Sequence, residues 1–155
     1  MSIPKVSKDL NVDRHRQTWM AVLAQAIPQQ LTDRVATLGN LPPYQQLRPP
    51  ETGLTMVRGR AGGTGQVFNL GEMTLTRCVV VLEAVTGFSY IAGRNKQHAE
   101  LAALCDALLQ LPQWHAQVYQ QVIQPLEAAA AERQAQTQRE TAATKVDFFT
   151  LLRGE

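Results

Sequence analysis

An α+β fold is predicted, with a four-stranded antiparallel sheet, a meander, flanked by N-terminal and C-terminal helices. Apolar residues recur at helical spacing on both sides of a central stretch, 53–93, that breaks into short apolar runs. The loops between those runs are glycine-containing and short enough to be hairpins, which makes the strands antiparallel. A chain of 155 residues is one domain's worth. The expected division is 13–39 helical, 53–93 sheet, 95–145 helical and 146–155 an apolar docking tail.

Taken in order, Asp13 is placed to cap a first helix whose apolar side carries Trp19, Val22, Leu23 and Ala26. Pro28 suits the first turn of a second helix, with Leu31, Val35 and Leu38 on its apolar side and Gly39 as its stop. From Asn40 through Arg48-Pro-Pro50 the prolines remove donors and push their predecessors into extended geometry, so a connector is expected there. Strands are expected over 53–60, 66–70, 74–84 and 86–93. The third alternates Cys78, Val80 and Leu82 with Leu75, Val79 and Val81, which reads as burial on both faces at its centre. Asn95 is a candidate cap for a helix running to about Leu111, and Pro112 ends it. A further helix carries Trp114, Val118 and Val122 and is interrupted at Pro125. The tract from Glu127 to Lys145, rich in Ala, Gln, Glu and Arg, is a solvated helix or spacer. Val146, Phe148, Phe149, Leu151 and Leu152 then form an apolar terminus expected to dock on a partner or a second copy of the assembly.

Composition excludes several function classes. Apolar residues at 45% and charged residues at 18% fit a folded globular chain rather than a disordered one. A net charge of +2 without any Lys/Arg run argues against nucleic acid as a partner. The run Cys78–Leu82 is far shorter than the roughly 20 residues a bilayer span needs, and Met1–Lys5 lacks the apolar core of a secretory signal. No membrane association and a cytoplasmic location are therefore expected. Cys78 and Cys105 form no Cys-x-x-Cys pair and read as buried, inert thiols. His98 and Cys105 lie seven apart, but two ligands do not make a zinc site, so no metal is expected.

The stretch 51–78 is the most distinctive. Gly62, Gly63 and Gly65 crowd one turn, and such a density of glycine means that a tight hairpin needs them or a partner approaches closely. If every loop is a hairpin, Arg58 comes near Phe68, a turn at Gly71-Glu72 sets Gln66 opposite Arg77, and a turn at Val85-Thr86 sets Arg77 opposite Arg94. Arg58, Arg60, Arg77 and Arg94 then gather at one end of the sheet beside the glycine turn. The first turn of the next helix, with Lys96 and His98, joins them there. Such a rim suits a phosphate, or the acidic surface of a partner protein. The third possibility is arginines that snorkel or pair with Glu51, Glu72 and Glu100. The glycine turn matches neither a P-loop nor a dinucleotide fingerprint. No catalytic residue is assigned: Ser89 lacks a nucleophile-elbow context, and His98 with Glu100 fits a helix turn better than an acid–base pair.

The ordered series Arg48-Pro-Pro-Glu-Thr-Gly53, Met56-Val-Arg-Gly-Arg-Ala-Gly-Gly-Thr-Gly65, Phe68-Asn-Leu-Gly-Glu-Met-Thr-Leu-Thr-Arg77, Gly93-Arg-Asn-Lys-Gln-His-Ala-Glu100, Ala107-Leu-Leu109, Val146-Asp-Phe-Phe-Thr150 and Arg153-Gly154 resembles the PhnG family, the G subunit of bacterial carbon-phosphorus lyase. The resemblance runs from about Arg16 onward. It departs where the family often has Asp and this chain has Asn95, and where Glu83-Ala-Val-Thr86 lacks an Asp-Gly pair. It implies phosphonate catabolism by a complex with the H, I and J subunits and an ATP-binding-cassette-like L protein. MgATP is there a substrate of the complex, no cofactor is bound by the G subunit, and an alkylphosphonate displaces adenine from ribose. The I subunit looks like the catalyst of that step, and the J subunit, an iron-sulfur radical enzyme, cleaves the bond later. Three roles follow for this chain: a required non-catalytic subunit, a subunit completing the active site by touching the triphosphate, or a free-standing regulatory or ligand-binding module.

Overall fold

Among the described residues three strands, not the four expected, make the sheet. The computed structural model describes residues 6–144. It places α1 at Val6–Gln25, α2 at Pro28–Ala36, β1 at Gln45–Arg60, a 3-10 turn at Ala61–Gly63, β2 at Val67–Leu82 and β3 at Val85–Ala92. Then come α3 at Lys96–Gln110, α4 at Pro112–Val118, a π-helical turn at Tyr119–Ile123 and α5 at Gln124–Ala143. The sheet is antiparallel in the order β1-β2-β3.

The expected hairpin at Gly71-Glu72 does not form, because those residues pair with Val57 and Met56 and continue the strand. They have a partner because β1 is long. It begins at Gln45 and passes through Arg48-Pro-Pro50, which was expected to be a connector. β1 lies at the sheet edge, and its register slips between Gln46 and Arg48 and again between Arg48 and Glu51. Prolines are tolerated at such places, where the missing N–H breaks no regular ladder bond.

At the N-terminal end Asp13 lies inside α1, which starts at Val6, so it is no cap. The other end signals act as the sequence indicates. Pro28 opens α2, Gly39 takes a φ of 78° beyond it, and the Asn95 side chain accepts a hydrogen bond from the His98 N–H at 2.9 Å. Pro112 ends α3 by beginning α4, and the chain passes Pro125 without interruption because that proline occupies the first turn of α5. The expected docking residues Phe148, Phe149, Leu151 and Leu152 lie outside the described residues.

α3 is the centre of the body. Its residues from His98 to Leu109 are almost all buried, with the sheet on one side and α1, α2 and α4 around the rest. The sheet face beneath it carries Cys78, Val80 and Leu82, all fully buried. The opposite face does not repeat this: Leu75, Val79 and Val81 are only half-buried, so β2 is covered on one side, contrary to the two-sided burial expected. α3 sits very close to the sheet, since a Cβ added to Gly87 would overlap the Ala103 carbonyl and the Ala107 backbone. Gly87→Ala is accordingly expected to lower the unfolding free energy by about 1 to 3 kcal/mol in chemical denaturation. Gly53→Ala, where nothing lies within 4 Å of the added atom, should cost little. Equal losses at the two positions would contradict this packing.

Candidate functional site

The best-connected polar group in the body is Asp106, fully buried in α3. Its carboxylate accepts hydrogen bonds from Arg16 Nε at 3.1 Å and Nη2 at 2.7 Å, from Trp19 Nε1 at 2.9 Å and from the Phe88 N–H at 3.0 Å. Arg16 Nη2 also donates to the Thr86 carbonyl at 3.1 Å, and Gln110 Nε2 donates to the same oxygen at 2.9 Å. The outer edge of β3, which no described strand covers, is thus satisfied by side chains of α1 and α3. Sequence reasoning missed this cluster. The signal available was an aspartate among leucines and alanines on a buried helix, which demands a partner.

His98 is likewise structural. It is buried, and its ring Nε2–H donates to the Leu23 carbonyl at 2.7 Å, tying α3 to the end of α1. Glu100 faces elsewhere and accepts from the Tyr44 hydroxyl at 2.6 Å and from Gln46 Nε2 at 2.7 Å. Burial, together with that bond to Glu100, pushes the Tyr44 phenol up to about 12. Ser89 donates to the Ala99 carbonyl at 2.6 Å. Among the described residues no group of three or more His, Cys, Asp or Glu side chains could hold a metal ion. No described helix is long and apolar enough to cross a membrane.

The proposed arginine rim is dispersed by the long hairpin. Arg58 pairs with Asn69, one place from the Phe68 expected, and Arg60 with Val67, whereas Arg77 lies opposite Glu51 and Tyr90. Eight residues of β2 separate Asn69 from Arg77, about 27 Å at strand rise. Arg94 follows β3, whose last paired residue Ala92 meets Leu75. Arg77 is not a free cation: its Nε donates to Glu51 Oε1 at 2.6 Å, and Arg48 Nη1 reaches the same oxygen at 3.0 Å. Arg58, Arg60 and Arg94 make no ion pair among the described residues. Lys96 is exposed in the first turn of α3.

The glycines serve the hairpin. Gly62 and Gly63 have φ of 60° and 81°, and the Gly65 N–H donates to the Ala61 carbonyl at 2.8 Å. A Cβ at Gly65 would lie 2.5 Å from that carbonyl oxygen. Side-chain-free backbone at this tip is a requirement of the turn itself.

Two apolar surfaces remain. The uncovered sheet face presents Phe88 and Tyr90 beside half-buried Val79 and Val81, with Met73 and Arg77 on the same side. A solvated antiparallel face is ordinarily polar, so this one suits contact with another surface. Separately, an open groove of about 630 Å³ lies between α1 and α4. Trp19, His115 and Tyr119 line it, His115 edge-on to Trp19 at 5.7 Å and stacked with Tyr119 at 6.0 Å.

The family described as phosphonate metabolism protein PhnG matches residues 14–154. The chain belongs to the PhnG family. It is also 42% identical over 159 aligned positions to a protein of Rhizobium meliloti (strain 1021), and the alignment covers 100% of this chain and 99% of that relative. The relative is named alpha-D-ribose 1-methylphosphonate 5-triphosphate synthase subunit PhnG. The PhnG family therefore places the chain in phosphonate metabolism, in the carbon-phosphorus lyase context.

Cys78 and Cys105 are unpaired and buried, and burial pushes their thiols up to about 11 and about 12. Both should ignore an aromatic disulfide reagent at about pH 8 in the native protein and react on unfolding. Rapid labelling of either in the native state would contradict their burial. The hydrogen bond from Arg77 holds the Glu51 carboxyl below its ordinary range, helped by Arg48. Such a carboxylate favours the folded state above the ordinary carboxylate range and loses that contribution as pH falls through its lowered value. Arg77→Ala should move the Glu51 titration, followed by NMR, upward toward that range; an unmoved titration would show that the pair does not persist in solution.

Proposed function

We propose that this chain is a required but non-reacting subunit of the synthase that transfers an alkylphosphonate to C1′ of the ribose of MgATP, releasing adenine and forming α-D-ribose 1-alkylphosphonate 5-triphosphate. The H, I and J subunits, and the ATP-binding-cassette-like L protein, are its partners in this reading. The chain itself binds no cofactor, and the location is cytoplasmic. The name of the Rhizobium relative supports the reaction. The observation that carries the supporting role is the open sheet face, where Tyr90 at 53% exposure lies opposite Arg77 of the Arg77–Glu51 pair and Phe88 at 37% lies on the same strand opposite Val79. Large apolar side chains around a fixed ion pair suit a protein contact better than a phosphate, which would have to displace Glu51 from Arg77. The polar groups that could exchange protons, Asp106, His98 and Glu100, are instead occupied by internal bonds.

A second reading, completion of the active site through the triphosphate, draws support from Arg58 and Arg94, exposed and without a carboxylate partner among the described residues. Two variants separate the readings. Under the contact reading Arg77→Ala, co-expressed with the other subunits, assembles less, and the apparent MgATP requirement of whatever complex forms is unchanged. Under the triphosphate reading Arg94→Ala assembles fully and the MgATP requirement of its complex rises, by the equivalent of about 1.5 to 3 kcal/mol for a charged hydrogen bond. Full assembly of both variants with unaltered MgATP dependence would refute both readings. A chain that stays a monomer beside the I subunit would instead favour a free-standing module.

A further inference from the structure

β3 pairs with β2 only from Leu75 to Leu82, so the rest of the β1–β2 hairpin, from Gly53 to the tip at Arg60 and back from Val67, stands as a two-stranded ribbon. Its faces follow from the register. Thr52 lies opposite Thr76, on the side that α3 covers in the body, and alternation along β1 then puts Leu54, Met56, Arg58 and Arg60 on that same side. There α3 is no longer overhead. Leu54 is 67% exposed and Met56 52%, while Leu70 on β2 is 66% exposed. An isolated two-stranded ribbon is marginal in water, and one whose covered face continues as bare Leu and Met lacks the layer that stabilises the rest of the sheet.

We propose that this ledge receives an amphipathic helix of a different subunit of the synthase, its apolar side on Leu54 and Met56 and its carboxylates on Arg58 and Arg60. The inference rests on the subunit reading above and adds the surface and the chemistry of what it binds. A helix is the fitting occupant because α3 already covers this face of the sheet where the body extends. The ribbon from Gly53 to Arg60 is about 24 Å long, a span that about 16 helical residues match. Acidic side chains are required because Arg58 and Arg60 are exposed and have no ion pair among the described residues. Arg60 spends one bond, at 3.3 Å, on the Gly65 carbonyl. Glu72, opposite Met56, is the one acid on the ribbon.

A second copy fits poorly. A two-fold contact would set each ledge against itself and bring two Arg58 and two Arg60 together against two Glu72. The long exposed helix α5 of a second copy carries no apolar side chain larger than alanine after Leu126.

The test uses the full-length chain co-expressed with the other synthase subunits, with p-benzoylphenylalanine in place of Met56. Irradiation is expected to join it to a different subunit, at a helical segment bearing Asp or Glu. Arg58→Glu combined with Arg60→Glu is expected to lower recovery of the complex by about tenfold or more. The melting point of the isolated variant should stay within about 2 °C of the parent's, since both side chains are exposed. A cross-link to a second copy, to residues 146–155 of the same chain, or to a strand or loop of another subunit would overturn the proposal, as would undiminished recovery. If the unsubstituted chain recovers no other subunit, the subunit reading falls with it; if only the variants assemble normally, this inference falls alone.

Discussion

A carboxylate with no exposure to water must be surrounded by donors, and the cluster that Asp106 gathers joins three elements of the chain. Arg16 and Trp19 come from α1, the Phe88 N–H from β3, and Asp106 itself from α3. Burying such a pair costs desolvation, which a buried ion pair recovers only when its geometry is good and its other lone pairs are filled. Here the guanidinium meets the carboxylate through two nitrogens, and an indole and a backbone N–H take remaining positions. The cluster also closes the free edge of β3, because Arg16 and Gln110 share the Thr86 carbonyl. It therefore sets where α1 lies and ends the sheet on that side.

With one edge closed and one face covered by α3, what remains open is concentrated. The uncovered sheet face and the projecting ribbon together hold most of the large exposed apolar side chains, among them Tyr90, Phe88, Leu54, Met56 and Leu70. On the helical side the apolar opening is the groove lined by Trp19, His115 and Tyr119, while α5 shows water mainly Gln, Glu, Arg and Ala. The internal polar bonds hold the frame, and the exposed apolar side chains of the sheet are the surface on which the proposed contact role rests.

The helices were legible because their signals are local. Pro28, Gly39, Asn95 and Pro112 act through their own backbone geometry, and each sits at a helix boundary. The sheet was less legible because glycine carries two meanings. Gly62, Gly63 and Gly65 mark a true hairpin, whereas Gly71 merely continues a strand opposite Val57. Reading both as turns cut one 16-residue strand in two and folded Arg77 back toward Arg58. The prolines at 49 and 50 hid the start of β1, since their tolerance depends on lying at an edge, which only the assembled sheet reveals. The buried aspartate was a signal, but the partners of Asp106 were not legible for a related reason: they are 87 and 90 residues away in α1 and 18 away in β3. Family membership was legible because many ordered matches spread along the chain, which no single turn or pair controls.

The dependence of the frame on Asp106 is tested most directly by replacing it with asparagine, which keeps the shape and removes the charge. The measurement is chemical denaturation combined with hydrogen exchange at the Phe88 amide. Asp106→Asn leaves Arg16 without its carboxylate and turns an amide donor toward the donors already present. The account predicts a loss of about 3 to 5 kcal/mol, together with faster exchange at Phe88, whose N–H bonds to Asp106 at the β3 edge. Unchanged stability with Phe88 still protected would contradict it, and would mean that apolar packing around α3 alone fixes α1 against the sheet.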